Sequence, residues 1–398
     1  LGIANASTRG DSLNKPDGAI DYLNRASDLY HSLIDEGGES EDSIGLARTH
    51  IALSDVAQVQ EQPAVERQHL ESAIAALSSL ERVPDQDHQD YLRWSKTANT
   101  DLSEWHVRHG RMEDAELYSR AALDIILKMA KNSPTASNRR AESVSRLDHA
   151  EVLLQRGDLD AFMEYEKAID IRRELLEEAM KEGTESDREH RDLAMALCEM
   201  SRASFLTGDW ARGIEHGNQA RELFMNLVQG DHRNQVSAAY ALTWLGLSQA
   251  GAGDAEAALR TLRQAAELGG QALDGAPGMT SYRVYCARAQ AAYGEVLIAS
   301  GRPDEAIEHL SSAIEIVQEG AAPGGGYISV PTVALMVEIR TNLGQALMHG
   351  DTAQPADHLH AAARDMEKLK ALGRERSVRT ECRERLGYLL AEAAKGGQ

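Results

Sequence analysis

The segment ALTWLGLSQAGAGDAEAALRTLRQA, residues 241–265, decides the fold of this chain. A large residue, Leu245, stands directly before a small one, Gly246, and a Gly-Ala-Gly-Asp turn follows at residues 251–254. Three apolar residues then follow at helical spacing: Ala258, Leu262 and Ala265. Apolar residues three and four apart on each side of a glycine turn predict two antiparallel helices joined by a short turn.

The same frame occurs five more times along the chain. Each copy has a large-small pair, a turn, and a second helix with helix-spaced positions that are mostly small. The small residues of the pairs are Ser54, Ser103, Ser201, Gly246, Gly294 and Gly344. A further copy, around residues 155–158, keeps its second helix at Ala161, Tyr165 and Ala168 but fits the first helix only with a one-residue shift.

The two ends of the chain contain incomplete copies: Leu1-Gly2 with Ala19, Leu23 and Ala26 at the start, and Leu386-Gly387 with Leu390 at the end. In the copy that contains Gly344, the frame places Ala356, His360 and Ala363 at the three core positions of the second helix. Residues 1–35 form a partial first repeat, and a capping helix is predicted from about 377 to 394. No linker is long or polar enough to divide the chain, so we predict one continuous array over residues 1–398. Because the chain starts at Leu1, we expect a piece of a longer protein.

Small residues at these positions allow paired helices to approach closely, and large residues fill the space between hairpins. Adjacent copies lie 45 to 50 residues apart. Because the spacing within a copy is constant, the extra residues must lie in longer helices and longer connecting loops. Phe, Trp and Tyr make up only 5% of the residues, which suits helices better than strands. The sequence therefore predicts an all-α fold.

This pattern resembles that of the tetratricopeptide repeat family, whose usual unit has about 34 residues. The resemblance covers essentially the whole chain and implies a solenoid of about seven to eight antiparallel helical hairpins in a right-handed superhelix. In that family the first helices line a concave face that binds partners. The long unit, with Arg-Arg-Glu-Leu at residues 172–175, is also similar to the repeat tails of bacterial eukaryotic-like Ser/Thr kinases. That similarity implies the regulatory part of a larger bacterial signalling protein.

The resemblance places candidate binding residues at positions two, five, nine and twelve of each unit. They are Arg48, Asp55, Gln58, Thr100, Glu104, Met195, Arg202, Phe205, Tyr240, Thr243, Arg288, Glu295, Glu338 and Gln345. Arg202, Tyr240 and Arg288 are the most suggestive, because arginine and tyrosine combine apolar area with directed hydrogen bonds. They favour an extended peptide with an acidic group. The Lys-Asn carboxylate clamp of chaperone-binding relatives is missing, which disfavours that class of partner.

The net charge of −21 disfavours nucleic acid and anionic lipid as partners, because the average field repels phosphate groups. The charge indicates a solvated outer surface, and a basic partner segment is the alternative. No stretch approaches the roughly 18 apolar residues that a membrane helix needs. The three cysteines are far apart and form no CxxC pair, which favours a reducing compartment. We therefore expect a protein or peptide partner in the cytoplasm, with a homodimer as a further option. An extracytoplasmic domain of a membrane-anchored protein is the alternative location.

No motif predicts catalysis. The string at residues 190–193, His-Arg-Asp-Leu, matches the start of a kinase catalytic loop, but Leu197 stands where that motif needs asparagine. The glycine-rich residues 322–327 lack the GK[ST] of a phosphate loop, and the histidine pairs lack a metal-binding frame. We expect no enzyme, metal or cofactor. The alternatives are an enzyme whose catalytic groups meet across the superhelix and a small-peptide receptor of the quorum-sensing type.

Overall fold

The computed structural model describes the chain in eight stretches. They are residues 16–60, 62–80, 88–184, 186–228, 231–319, 330–349, 355–371 and 374–396. Within these stretches there are sixteen α-helices, one 3-10 turn at Glu375–Ser377 and no strand. The predicted all-α fold is confirmed. The expected first pair at residues 1–2 and the glycine-rich segment at 322–327 lie outside the described residues.

The chain divides into two compact units, Leu1–Arg156 and Gly157–Gln398. Unit 1 contains α1 (Pro16–Asp35), α2 (Ser40–Val59), α3 (Pro63–Ser78), α4 (His88–Arg108), α5 (Met112–Asn132) and α6 (Ala136–Arg156). Unit 2 contains α7 (Ala161–Glu182), α8 (Asp187–Leu206), α9 (Trp210–Leu227), α10 (His232–Gly251), α11 (Ala255–Gly275), α12 (Thr280–Ala299), α13 (Pro303–Glu319), α14 (Val330–His349), α15 (Pro355–Ala371) and α16 (Thr380–Gly396).

The boundary between the units falls in the one copy whose first helix departs from the repeat frame. It lies between Arg156 and Gly157, inside the turn that the sequence places at residues 155–158. The second helix of that copy is α7, and its predicted core residues Ala161, Tyr165 and Ala168 are all buried. The single array over the whole chain stays a prediction.

Antiparallel hairpins recur within each unit. They are α2–α3 and α4–α5 in unit 1, and α8–α9, α10–α11, α12–α13 and α14–α15 in unit 2. First helices of neighbouring hairpins also pack on each other, whereas each second helix packs mainly on the first helices that flank it. The first helices of a unit therefore form one wall, which we call the first-helix face. In unit 2, α16 packs on α14 and α15 at the end of the array.

Glycine at the small position lets the two helices of a hairpin touch. A Cβ atom on Gly246 would lie 2.5 Å from Cγ of Leu262, and one on Gly294 would lie 2.7 Å from Cγ of Leu310. In both hairpins the leucine follows the glycine by 16 positions (262 − 246 and 310 − 294). The constant interval within the repeat therefore arises because these two residues are in contact between the helices.

Serine at the same position adds a hydrogen bond across the hairpin in two of three copies, whereas the hydroxyl of Ser54 donates to the carbonyl of Ile51 in its own helix at 2.7 Å. The hydroxyl of Ser103 donates to the carbonyl of Ala115 at 2.7 Å. The hydroxyl of Ser201 donates to the carbonyl of Gly213, also at 2.7 Å and also twelve positions along the chain. A small polar residue can thus replace glycine here, because its hydroxyl is satisfied within the contact.

The last hairpin departs from the predicted frame by one residue. A Cβ atom on Gly344 would lie 2.6 Å from Cδ2 of Leu359, which is 15 positions later rather than 16 (359 − 344). Leu359 and Ala362 are buried, whereas His360 is exposed. The assignment of Ala356, His360 and Ala363 to the core is wrong, because burying the apolar Leu359 decides the rotation of α15.

Long helices account for much of the long unit. Both α4 and α5 have 21 residues, and only residues 133–135 separate α5 from α6. The predicted lengthening of the helices is confirmed. Helix α13 starts at Pro303, with Asp304 and Glu305 in its first turn, where the fixed φ of proline and negative charge near the positive end of the helix dipole are favourable. Across the described stretches, no helix combines the length and the apolar composition that crossing a membrane requires.

Gly246→Ala is expected to destabilise unit 2 by about 1 to 3 kcal/mol, because the added methyl group overlaps Leu262 in a packed interior. Gly270→Ala is the matched control in the same hairpin, since a Cβ atom there meets nothing within 4 Å. The control is expected to stabilise by about 0.5 to 1 kcal/mol. Urea unfolding followed by circular dichroism measures both, and equal effects of the two substitutions would contradict the packing role of Gly246.

Candidate functional site

Aromatic side chains from three first helices form a cluster on the first-helix face of unit 2. The ring centroids of Phe205 and Trp244 are 5.7 Å apart, and those of Tyr240 and Tyr285 are 4.8 Å apart. Tyr240 also lies 6.0 Å from Trp244 in an edge-on arrangement. The guanidinium of Arg288 lies 5.5 Å from the centroid of the Trp244 ring, within cation–π distance. The cluster thus joins α8, α10 and α12.

Helical spacing explains why these side chains share one face. Tyr240 and Trp244 are four residues apart on α10, and Tyr285 and Arg288 are three apart on α12. Residues at these separations lie above one another on a helix. Because α10 and α12 pack side by side, their rows of side chains form one continuous surface.

An ion-pair network continues this surface towards the end of unit 2. Nη2 of Arg379 lies 2.6 Å from Oε2 of Glu295, and its Nε lies 3.2 Å from Oε1 of Glu338. The backbone N–H of Arg379 donates to the same Oε1 of Glu338 at 3.2 Å. The Arg379 guanidinium also lies 5.9 Å from the ring centroid of Phe205. The network therefore meets the aromatic cluster, and we call the combined surface the binding strip.

A second arginine extends the binding strip along α14. Nη1 of Arg385 donates to Oδ1 of Asn342 at 2.8 Å and to Oε1 of Gln345 at 3.3 Å. Nη2 of Arg385 lies 3.6 Å from Oε1 of Glu295. Both Arg379 and Arg385 thus hold polar groups of α12 and α14 in fixed positions.

The electrostatics of the binding strip keep its charges paired. Burial alone would raise the pKa of Glu295, but Arg379 and then Arg385 hold it below its ordinary value. Burial alone would lower the pKa of Arg379, but Glu295 and Glu338 raise it well above its ordinary value. Burial raises the pKa of Tyr240, so its hydroxyl is neutral at physiological pH. The binding strip therefore presents rings and compensated charges.

The structure brings most of the predicted binding residues of unit 2 together. The contacts of the binding strip include Phe205, Tyr240, Arg288, Glu295, Glu338 and Gln345. Arg202 lies on the same face, where its Nε is 2.8 Å from Oε2 of Glu199 and its charge acts on Tyr240. Thr243 is buried, and its hydroxyl donates to the carbonyl of Ala239 in the same helix at 2.7 Å.

The remaining predicted residues are not among those that make the contacts of the binding strip. Met195 is half-buried on α8. Five predicted residues belong to α2 and α4 of unit 1: Arg48, Asp55, Gln58, Thr100 and Glu104. Arg48 is exposed, and its guanidinium lies 5.1 Å from the ring centroid of Trp94. The binding role of all fourteen predicted residues stays a prediction.

The repeat frame missed several members of the binding strip. Tyr285 precedes the part of α12 that the family frame covers, because the helices of this chain are longer than the family unit. Trp244 lies beside the position that the frame selects at Thr243. Arg379 and Arg385 follow the last complete repeat, and neither lies at a position that the frame selects. The available signal was the arginine-rich segment at residues 374–385 in an otherwise acidic chain.

Three histidines approach one another in unit 1. Nδ1 of His50 and Nδ1 of His69 are 3.2 Å apart, and the ring centroids of His31 and His50 are 6.3 Å apart. Burial, followed by the charges of His69 and His31, lowers the pKa of His50 from 6.5 to about 4. Over the described residues, no group of three His, Cys, Asp or Glu side chains has an arrangement that could hold a metal ion. The three rings lie between α1, α2 and α3, and the lowered pKa of His50 predicts that their packing depends on pH.

A half-open cleft of about 480 Å³ lies between α4 and α5 of unit 1. Its lining consists of His88, Tyr91, Leu92, Ser95, Ile125, Lys128, Lys131 and Asn132. An acid–base site needs paired titratable groups in reactive geometry. The titratable side chains of this lining are His88, Tyr91, Lys128 and Lys131.

Two hairpins at the centre of the binding strip match a known family. Residues 239–264 and 287–311 match the family model described as tetratricopeptide repeat. These segments are tetratricopeptide repeats. They cover most of α10–α11 and α12–α13, so the family resemblance inferred from the sequence is confirmed. No curated protein matches the sequence.

Solved structures with similar folds share little sequence with this chain. The apo form of RapI has a TM-score of 0.51 and 12% identity, covering 82% of this chain and 99% of that chain. A Rap protein complexed with competence and sporulation factor has a TM-score of 0.43 and 12% identity, covering 94% and 99%. A signal transduction ATPase with numerous domains and a tetratricopeptide repeat sensor, from Pyrococcus horikoshii, has a TM-score of 0.46 and 15% identity, covering 89% and 47%. The likeness to RapI shows the fold alone.

Unit 1 is expected to lose stability as the pH falls from about 6.5 to about 4, by at most about 3 kcal/mol. The folded state holds His50 neutral, so the unfolded chain binds a proton more readily over this range. The contribution is complete above pH 6.5, the ordinary value, and is lost as the pH falls to the folded pKa of about 4.

Urea unfolding at about pH 7 and pH 4.5 measures this loss. His50→Gln is expected to reduce the difference between the two pH values, whereas His349→Gln, at an exposed histidine of unit 2, leaves it unchanged. An identical pH difference in the wild type and His50→Gln would show that His50 is not responsible.

Proposed function

We propose that the first-helix face of unit 2 binds an extended segment of another protein or a peptide, as part of a scaffold or sensor. The observation that carries the proposal is the binding strip itself. Side chains from α8, α10, α12 and α14 meet there in one surface of rings, arginines and carboxylates. The tetratricopeptide repeats at residues 239–264 and 287–311 include α10 and α12, which lie at its centre.

The composition of the binding strip suits recognition of a protein segment. Tryptophan, tyrosine and arginine dominate the residues that contribute most to protein interfaces. Here the rings contact one another and the charged groups are hydrogen-bonded. Side chains held in place before binding lose less conformational entropy when a partner arrives. The surface is therefore preorganised for a ligand that runs along several repeats.

A buried donor adds to this argument. Trp244 is only 4% exposed, and its indole N–H has no hydrogen-bond acceptor among the described residues. An unsatisfied buried donor costs roughly 1 to 3 kcal/mol. The nitrogen is itself buried, so a backbone carbonyl of a bound segment recovers this energy only where the side chains that cover the nitrogen move to admit it.

Other parts of the functional reading stay predictions. They are the placement in a larger bacterial signalling protein, the similarity to kinase repeat tails, the homodimer and the cytoplasmic location. The small-peptide receptor differs from this proposal only in the length of the ligand, because a protein segment and a small peptide would both lie along the binding strip. No observation in the described residues favours the enzyme alternative over binding.

A selection from random peptides displayed on phage tests the proposal. Peptides enriched on the wild-type protein are expected to lose at least about thirtyfold in affinity when Arg202, Tyr240 and Arg288 are all replaced by Ala, because two or three interface anchors are removed. Fluorescence anisotropy with one enriched peptide gives the dissociation constants.

The matched control removes two arginines and one tyrosine outside the binding strip. Arg221 and Arg260 are exposed on the second helices α9 and α11, and Tyr388 is exposed on α16. Replacing these three by Ala is expected to leave the affinity within about twofold. If both triple variants bind as well as the wild type while circular dichroism shows intact helices, the binding strip is not the site.

A further inference from the structure

The link between α15 and α16 directs one arginine onto the first-helix face. Arg379 follows the 3-10 turn Glu375–Ser377, and its guanidinium reaches Glu295, 84 positions earlier in the chain, at 2.6 Å. The same guanidinium contacts Glu338 of α14 at 3.2 Å and lies over Phe205 of α8 at 5.9 Å. We call residues 374–396, the 3-10 turn and α16, the C-terminal cap. A single side chain of this cap thus contacts three first helices, α8, α12 and α14.

The cap does not need Arg379 to stay attached. Its apolar side packs into a core cluster with α15. The buried members contributed by the cap are Val378, Cys382, Leu386 and Leu389, and those of α15 are Leu359, Ala362, Met366 and Leu369. This apolar contact joins α16 to α15 independently of the ion pairs of Arg379. The attachment of α16 therefore does not depend on Arg379 alone.

The ion pairs of Arg379 are poorly suited to a purely stabilising role. The side chains of Arg379, Glu295 and Glu338 are only 17%, 18% and 8% exposed. Removing charges from water costs several kcal/mol per ion, so apolar residues in such a place are often at least as stabilising. The charges of Glu295 and Glu338 instead give the part of the binding strip near Arg379 a preference for one kind of ligand group.

That preference is for a guanidinium group. Two carboxylates beside an aromatic ring match the planar donors and the cationic face of arginine. The other arginines near these carboxylates are farther away, with Arg288 at 3.9 Å from Glu338 and Arg385 at 3.6 Å from Glu295. The shortest contacts of both carboxylates therefore go to Arg379.

The acidic ligand expected from the sequence has a weaker case in the structure. Arg202 already lies 2.8 Å from Glu199. Arg288 lies over the Trp244 ring and near Glu338. Both arginines therefore already contact a carboxylate of the protein. Glu295 and Glu338 in turn already hold a guanidinium, that of Arg379.

We propose that Arg379 occupies, within the chain, the position that an arginine of the bound segment takes, so that a basic partner segment and the C-terminal cap compete for Glu295 and Glu338. This inference rests on the proposed function. The partner would lie along the aromatic cluster and place an arginine beside Glu295 and Glu338. Because the tethered Arg379 blocks the position most of the time, the apparent affinity of the partner is reduced by the fraction of molecules in which it is displaced.

Arrayed pools of random ten-residue peptides, with the central residue fixed as Arg, Lys or Glu, provide the probe. The protein is fluorescently labelled and used as the full chain. We expect the Arg pool to retain the most wild-type protein, and Arg379→Ala to increase that retention by about tenfold or more. Adding Glu295→Gln and Glu338→Gln to Arg379→Ala is expected to abolish the preference for the Arg pool.

Arg383→Ala is the matched control. It removes an arginine from the same segment, and its side chain donates to Thr380 within α16 at 2.8 Å. Its retention on the Arg pool should equal that of the wild type. An Arg pool that retains no more protein than the Lys or Glu pool overturns the inference, as does an Arg379→Ala protein with intact helices and no gain.

The outcomes separate this inference from the proposed function. Preferential retention on the Glu pool, lost in the Arg202, Tyr240 and Arg288 triple variant, removes the inference and keeps the function. Retention on every pool that is no higher than that of the triple variant removes both. If Arg379→Ala loses helicity, Arg379→Gln replaces it, since it keeps much of the side-chain length without the charge.

A measurement on the wild type provides an independent test. Binding of an Arg-containing peptide selected from the array should speed amide hydrogen exchange in the first turns of α16, because Arg379 leaves its carboxylates. The same peptide with citrulline in place of arginine keeps the shape without the charge, and should bind at least about tenfold more weakly. Unchanged exchange in α16 at saturation would show that no displacement occurs.

Discussion

The close approach of the two helices in each hairpin is the constraint on which the rest of the structure depends. Gly246, Gly294 and Gly344 each face a leucine of the second helix with no room for a methyl group. Serine serves the same purpose at Ser103 and Ser201, with a hydrogen bond to the opposite backbone. Because the helices are this close, the second helix of one hairpin also reaches the first helix of the next, and the first helices line up side by side.

This alignment turns short helical patterns into an extended surface. Tyr240 and Trp244 would be an isolated pair on a single helix, but α12 places Tyr285 and Arg288 beside them. The long first helices increase the number of turns that contribute, which is how Tyr285 joins the binding strip. Charges can be buried at the end of this surface because each carboxylate meets an arginine and each arginine meets several acceptors.

Much of the fold could be predicted because it depends on local spacing. The interval of 16 residues from Gly246 to Leu262 recurs from Gly294 to Leu310, and the contacts follow it. The frame failed at α15, where Leu359 follows Gly344 by 15 residues instead of 16. Burial of this leucine, rather than the regular interval, sets the rotation of the helix. The blurred copy around residues 155–158 also has a structural counterpart, since the boundary between the compact units falls there.

The sequence by itself determined the helical hairpins, their small contact residues and many of the side chains that point away from each hairpin core, because these follow from periodicity within about 25 residues. Only the tertiary structure decided which of those side chains meet. Arg379 and Glu295 are 84 positions apart, and nothing in a repeat pattern connects a residue after the last repeat to one in the middle of the array. Their contact depends on the accumulated geometry of the hairpins between them, and so does the charge that the binding strip presents.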